Sequence, residues 1–517
     1  MGLLFELLMV IPINFAKALA FFLLLKFVSR FSSWIQTPLN IMPGPRSNSF
    51  LWGSFPSIRK EAFMEPHKRW WKDAGVDAKL LHYTTFFGRS SVVVLDKDIV
   101  REILTAPAGC KNPRFEKRLD IVQQVLGLGL VTLEGEDWMR HRRIIQPSFS
   151  SSFLKKTLND AVPSKASLLV EYWRKSMGRE IDVASHMSAI TLDIIGDVAF
   201  SHAFHGMEEI AKWSEDESSD KLAELQDPFM STMVDAIKPN LITFVLSGLG
   251  LSFLNNTLNP RARKATRLVD AAVSQVVENA KTHGPENTKS LLQLLLNAED
   301  PETTKTRKLS HKELIDETKT FLLAGHETTA TWCYWALYAL SKHPDIQDKV
   351  FSDIEKFCTK GSDTITLEMV DEMEYFHAFL MEVLRLCPPA GMIVRTNVRP
   401  EVMGGYSIPE GTRFVIPIHL LHRHPHYWDE PEIFKPERWE TMDEERVRFV
   451  FLPFSVGGRN CIGQRFATIE AKLILAPLLR NFRFQVAPSQ RDTDFTFTNL
   501  ITMKSKPALK IVAQNRK

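Results

Sequence analysis

Apolar residues dominate the chain from Leu3 to Val28, broken by polar or charged side chains only at Glu6, Asn14, Lys17 and Lys26. That length suffices to span a bilayer, so the pattern predicts a membrane anchor over residues 1–30. Lys26 and Arg30 at its end place the following body on the cytoplasmic side. A cleaved signal peptide is the rival, but no small-residue cleavage site follows the run; a buried core helix is the third reading. Next, Ile41-Met42-Pro43-Gly44-Pro45-Arg46 carries two prolines that stiffen the chain and deny it helix, which makes residues 31–45 a hinge. Residues 46–517 form the body. In it Ser90 to Leu95 is a β-branched strand run, and Asp96 to Leu104 has helical spacing. The uncharged run Leu241 to Leu254 is short for a membrane span and reads as core, or as an interfacial segment dipping into the membrane of the anchor. Ser310 and Glu313 match a capping box, with apolar residues at helical spacing until His343-Pro344. One helix of about 33 residues and near 50 Å follows, long enough to cross the body. Val402 to His419 reads as a hairpin turning at Pro409 and Gly411, Gln464 to Leu479 as a helix, and Phe495–Met503 with Leu509–Val512 as a final hairpin.

The 517 residues, 44% hydrophobic and 24% charged, can bury a large core. Length alone suggests about three domains. However, the polar stretch Asn297 to Arg307 has no Gly/Ser-rich length to mark a boundary, and no internal repeat is evident, so one body is expected. A net charge of +3 with pI near 8.4 is too weak and dispersed for nucleic acid, though local clusters could dock an acidic partner. Cys110, Cys333, Cys358, Cys387 and Cys461 are odd in number, widely spaced and free of C-x-x-C, so neither a disulfide framework nor a zinc site is indicated. Reducing cytosol fits that usage.

The chemistry concentrates in Phe454-Ser455-Val456-Gly457-Gly458-Arg459-Asn460-Cys461-Ile462-Gly463. Cysteine ligates a metal as the thiolate; Arg459 is cationic, the glycines let N–H groups approach the sulfur, and the helix that follows adds its dipole. A lone cysteine is usually only a small buried hydrophobe, but the spacing F-x-x-G-x-R-x-C-x-G resembles the haem-binding loop of the cytochrome P450 family, whose cysteine is the axial haem ligand. Four other segments resemble that family in the same order. Trp138 and Arg142 share one helix face, as in the family's W-x-x-x-R that holds a haem propionate, while Arg140 and Arg143 fall on the opposite side, toward solvent or a partner. Ala324-Gly325-His326-Glu327-Thr328-Thr329 resembles the oxygen-activating motif, in which Thr328 donates a hydrogen bond to dioxygen or water and Glu327 relays protons. Gly325, unfavourable in mid-helix, suggests close approach to something flat. Glu382-x-x-Arg385 with Pro436-Glu437-Arg438-Trp439 resembles the family's structural salt-bridge network. Arg395 stands where the family usually has another propionate-binding arginine.

Taken together, the resemblance implies a mainly α fold with small β-sheets around haem b (iron protoporphyrin IX). Its site residues are Cys461 as the metal ligand, Trp138, Arg142, Arg395, Phe454, Arg459 and Gly463 around the cofactor, and Glu327 and Thr328 as the proton-handling pair. The implied reaction is monooxygenation of a lipophilic small molecule. Electrons are expected from a separate NADPH-dependent reductase, docking at Arg140 and Arg143, because no flavin or nicotinamide domain follows residue 517. The anchor and hinge resemble those of microsomal members, which implies the endoplasmic reticulum. A fatty-acid hydroperoxide isomerase or lyase such as an epoxyalcohol synthase would need no reductase, and a haem sensor or carrier would need no proton relay; the intact Glu327-Thr328 pair favours monooxygenation.

Overall fold

The structure, a computed structural model, describes residues 13–47, 49–213, 232, 240–282, 290–302, 308–358, 365–499 and 502–516. The first twelve residues of the expected anchor and part of the 297–307 connection lie outside them.

The helix His311–Lys342 runs for 32 residues through the middle of the body. Its expected capping box is formed: Ser310 Oγ accepts from Glu313 N, and the Glu313 carboxylate accepts from Ser310 N. Hydrophobic residues almost all round it, among them Leu322, Trp332 and Leu337, are buried, as befits a helix enclosed on every side. Helices Val183–Ile195 and Gln464–Asn481 pack against it, and the latter also against Ser151–Lys175. To one side lies a five-stranded sheet in the order Leu80–Thr85, Arg89–Val94, Arg413–Ile416, Ile393–Asn397, Phe115–Glu116, antiparallel except where Arg89–Val94 meets Arg413–Ile416. The architecture is mainly helical with small sheets, as expected.

Two expected hairpins are differently built. Val402–His419 is not one hairpin: Glu401–Met403 pairs with Tyr406–Ile408 across Gly404-Gly405, both at positive φ (56° and 83°), as a two-residue hairpin loop demands. The Pro409–Gly411 turn instead carries the chain into the large sheet, fastened by Asn397, whose Nδ2 donates to Pro409 O (2.9 Å) and whose carbonyl accepts from Gly411 N (3.0 Å). At the C-terminus, Thr496–Asn499 pairs with Met503–Lys506, while Lys510–Asn515 joins Phe482–Val486 and Glu180–Asp182 in a separate sheet. Alternation along a strand shows that it is a strand; it does not choose the partner.

The N-terminal helix runs from Ile13 to Gln36, past the residue at which the anchor was expected to end. Phe21, Leu24, Leu25, Val28 and Ile35 on it are exposed. Phe27, Phe31 and Trp34 hold its second half to the body through Phe50, with ring centroids 5.2, 5.1 and 5.6 Å away. Pro43-Gly44-Pro45 then lies against the sheet edge: His82 N donates to Pro43 O (2.8 Å), and a Cβ on Gly44 would stand 2.1 Å from His82 O. Among the described residues, only Val183–Phe200 is long and apolar enough to cross a membrane, and it is mostly buried inside the body. In the 241–254 run, helix Leu241–Gly248 buries Leu246 and stacks Phe244 on Phe86 (5.1 Å) while Ile242 is exposed, so it is core on one face only.

Candidate active site

A cavity of about 380 Å³ lies between the central helix and the loop 452–463. Cys461 lines it and is exposed there, and its N–H donates to Phe454 O (2.8 Å), closing the loop upon itself. Gly457 has φ +80°, and a Cβ there would meet Leu104 O at 2.2 Å, so the loop requires glycine at this point. Helix Gln464–Asn481 begins just after Gly463, whose N–H bonds the Cys461 sulfur. Burial pushes the Cys461 thiol up; that N–H, Arg142 and Lys117 oppose the rise.

Arg459 was expected to favour the thiolate, and its surroundings place it elsewhere. It donates to Leu133 O and the Glu134 carboxylate and lies over the Trp138 ring, 4.4 Å from the centroid. The cations that act on the sulfur are Arg142 and Lys117. Lys117 was missed in the sequence. It follows a two-residue strand and precedes an irregular turn, so no periodicity singles it out, yet it lines the cavity, half-buried, with Nζ on Val131 O (3.2 Å). Arg142 binds the carbonyl and side-chain oxygens of Asn460 (3.0 and 3.1 Å), which ties the helix Gly135–Ile145 to the cysteine loop. Arg395 is 6% exposed, and among the described residues its guanidinium has one hydrogen bond, to Val394 O, 2.8 Å away.

Lys117, Arg142, Arg395 and Arg459 thus line one cavity, and among the described residues Glu134 is the carboxylate that acts on Lys117, Arg395 and Arg459. Burial, then repulsion from Arg459 and Arg395, pushes the Lys117 ammonium down to about 7, and burial pushes Arg395 down to about 10. Arg459 Nη1 is buried without a partner. Such a cluster lacks anions, and the two propionates of a haem would supply them. Buried donors beside a cysteine sulfur in one apolar slot fit that cofactor.

Opposite the loop, the central helix presents Ala324, Gly325 and Thr328 to the cavity. A Cβ on Gly325 would stand 2.9 Å from Ile195 Cδ1, so a side chain there would have to displace the end of Ile195. Thr328 Oγ1 donates to Ala324 O (2.7 Å), leaving its lone pairs toward the cavity. Glu327 does not line the cavity. Its carboxylate accepts from Thr502 Oγ1 (2.9 Å) and pairs with Lys504 (2.8 Å) on the C-terminal hairpin. Burial alone would raise its pKa; Lys504, His326 and the two bonds outweigh that and hold it below the usual carboxylate range.

Arg140 and Arg143, expected to point toward solvent or a partner, are engaged within the body. Arg140 pairs with Glu313 of the central helix, and Arg143 with fully buried Asp300 (2.9 Å) and with Glu302 (3.0 Å). The helical wheel gave their direction correctly but could not show that other elements pack there. Asp300 also shows that the 297–307 connection is not wholly solvent-exposed. Glu382 and Arg385, both fully buried, form the expected brace: Arg385 pairs bidentately with Glu382 (2.8 and 2.9 Å) and donates to the carbonyls of His422, Pro431 and Ile433. Glu382 also accepts from Arg438 (3.0 Å), Trp439 Nε1 (3.1 Å) and Lys435 N (2.8 Å), so every charge is satisfied.

This mainly helical fold, with an apolar cavity closed by a cysteine loop, defines a haem-thiolate type of protein. The sequence pattern described as Cytochrome P450 matches residues 43–512, and the chain belongs to that family. It is 29% identical to cytochrome P450 4Z1 of Homo sapiens over 93% of this chain and 92% of that protein. It is 28% identical to cytochrome P450 3A13 of Mus musculus over 86% and 85%, and 30% identical to cytochrome P450 4c21 of Blattella germanica over 77% and 79%. The chain is a haem-thiolate monooxygenase, an oxidoreductase.

Proposed function

We propose that the protein inserts one oxygen atom of dioxygen into a lipophilic substrate, drawing electrons from an NADPH-dependent reductase while anchored in the endoplasmic reticulum membrane with its body in the cytosol. The observation that carries this reading is that Cys461 and Thr328 open onto the same apolar cavity from opposite walls. Haem b, held through the Cys461 thiolate, supplies the activation of dioxygen: substrate, dioxygen, two electrons and two protons become hydroxylated substrate and water. Lys117, Arg142, Arg395 and Arg459 would hold its propionates, with the Trp138 indole beside them. Phe454 and Gly463 border the sulfur and keep water from it. Thr328 holds a proton donor at the cavity, and Glu327, ionised against Lys504, passes protons inward from the hairpin side.

Phe149, Phe153, Ile195, Val198 and Phe321 make the remaining wall apolar, which suits a lipophilic substrate. The exposed apolar face of the N-terminal helix, with Lys26 and Arg30 at its end, supports residues 1–30 as the anchor. With Arg140 and Arg143 engaged internally, the docking cations are those left exposed near the cysteine loop. Arg101 and Arg448 flank the Phe449 ring at 6.0 and 5.5 Å, three residues before Leu452. The test is the carbon monoxide spectrum of the reduced protein. Wild type gives the red-shifted Soret band of thiolate-bound haem and Cys461→Ser loses it; a band that survives in Cys461→Ser refutes the assignment.

A further inference from the structure

Away from the cavity, three arginines meet where the N-terminal helix rests on the large sheet. Arg89 opens the strand Arg89–Val94, and Arg413 opens the parallel strand beside it, with Ser91 opposite Arg413, so Arg89 and Arg413 are diagonal neighbours on one face. Arg30 lies on the last turns of the N-terminal helix, its guanidinium beside Gly250. That helix is seated on the turn leading into Arg89: a Cβ on Gly88 would stand 2.6 Å from Trp34 Cβ, and the Phe50 and Phe87 rings are 6.1 Å apart.

None of the three forms an ion pair among the described residues. Among those residues the Arg89 guanidinium has one hydrogen bond, to Ser247 Oγ at 3.4 Å, and Arg413 Nε is buried with no partner. Among the described residues Asp120 is the carboxylate that acts most on Arg89; burial, then Arg413 and Arg30, push that guanidinium down to about 10. Nearby Arg118 already has Glu116 at 2.9 Å. Three half-buried cations against one carboxylate repel one another unless an anion joins them. The elements that carry and adjoin these arginines also expose apolar side chains: Phe31 on the helix, Leu51 and Trp52 on the loop before the sheet, and Ile242 on the neighbouring helix. Cations interspersed with such side chains match the layer of a bilayer where acyl chains give way to phosphate.

We infer that Arg30, Arg89 and Arg413 form a site for the phosphate of a membrane phospholipid headgroup, selective for anionic lipid. The inference rests on the anchored orientation proposed above. A phosphate offers the fork of each guanidinium two or more oxygens, and its charge relieves the repulsion among them.

The test uses the full chain in phosphatidylcholine bilayers and compares the association of spin-labelled phosphatidic acid with that of spin-labelled phosphatidylcholine. Wild type is expected to prefer phosphatidic acid, with the preference falling about fivefold for each of Arg89→Gln and Arg413→Gln. Equal association of the two lipids with wild type, or a preference intact in the double variant, overturns the site. Co-flotation with pure phosphatidylcholine vesicles reads anchoring by itself, so failure there refutes the anchor and not the site. In a parallel arm inorganic phosphate is added without lipid. If it raises the melting temperature of wild type but not of the double variant, while phosphatidic acid is not preferred, the ligand is a free phosphate and the lipid assignment falls. Neither arginine lines the haem cavity, so an unchanged carbon monoxide band certifies that the variants fold.

Discussion

Replacing Lys504 with methionine tests how Glu327 is kept ionised. The ammonium lies 2.8 Å from a carboxylate whose side chain is 11% exposed, and Lys504 itself is 30% exposed. At an effective dielectric of about 20 the attraction is about 6 kcal/mol before desolvation. Stranding a buried charge typically costs about 3–5 kcal/mol, and the partial exposure of Lys504 brings the expected loss to about 2–3 kcal/mol at neutral pH. The pH dependence distinguishes this cause from lost packing. In wild type the folded pKa of Glu327 is depressed, so its contribution is present above the unfolded value of 4.5 and is lost as pH falls through the folded value. In Lys504→Met, burial dominates and the folded pKa rises above 4.5. The variant then carries a penalty at pH 7.5 that disappears as Glu327 protonates on acidification, so the gap to wild type narrows toward pH 5. Thermal unfolding followed by circular dichroism should show a gap of about 2–3 °C at pH 7.5, from about 2.1 cal/mol/K of unfolding entropy per residue. Lys504→Arg should restore most of it. A gap that stays constant from pH 7.5 to pH 5 refutes the electrostatic account.

Three further outcomes are expected. Arg385→Ala leaves Glu382 charged in the core and should lower stability by about 3–5 kcal/mol, measured by urea unfolding; a loss under about 1 kcal/mol would show that the brace is not paired as described. Because the Lys117 ammonium titrates near 7 in the haem-free pocket and an anion favours its protonated form, the haem-affinity advantage of wild type over Lys117→Gln should shrink as pH rises from 7 to 9, by at most about tenfold per unit. Comparing the two chains removes the opposing proton release at Cys461, and a ratio that does not vary with pH counts against Lys117 as a propionate partner. Reversing Arg101 and Arg448 to glutamate should slow reduction by the reductase, in a salt-dependent manner and without altering the haem spectrum, whereas reduction at the wild-type rate would move the docking surface elsewhere.

Much of the molecule was legible along the chain because its information is local. Ser310 and Glu313 sit three positions apart, close enough to cap one helix turn, and that turn starts the central helix where it was expected. Trp138 and Arg142 share a face, and Glu382 and Arg385 meet, because 3.6 residues per turn puts such pairs side by side. The cysteine loop was readable for the same reason: its glycines and the following helix act within ten residues of Cys461.

Only tertiary structure decided which partners those groups took. Arg459 reaches Leu133 across 326 positions, and Glu327 meets Thr502 across 175, distances over which periodicity carries no information. Hence Arg459 is held by Glu134 and Trp138, and Arg140 and Arg143 hold Glu313 and Asp300 within the body. Lys117 became part of the site only when the chain folded it beside Arg395 and Arg459. Sequence spacing sets a charged side chain's direction from its own element; which opposite charge meets it depends on packing between elements, and burial then fixes how strongly the two interact.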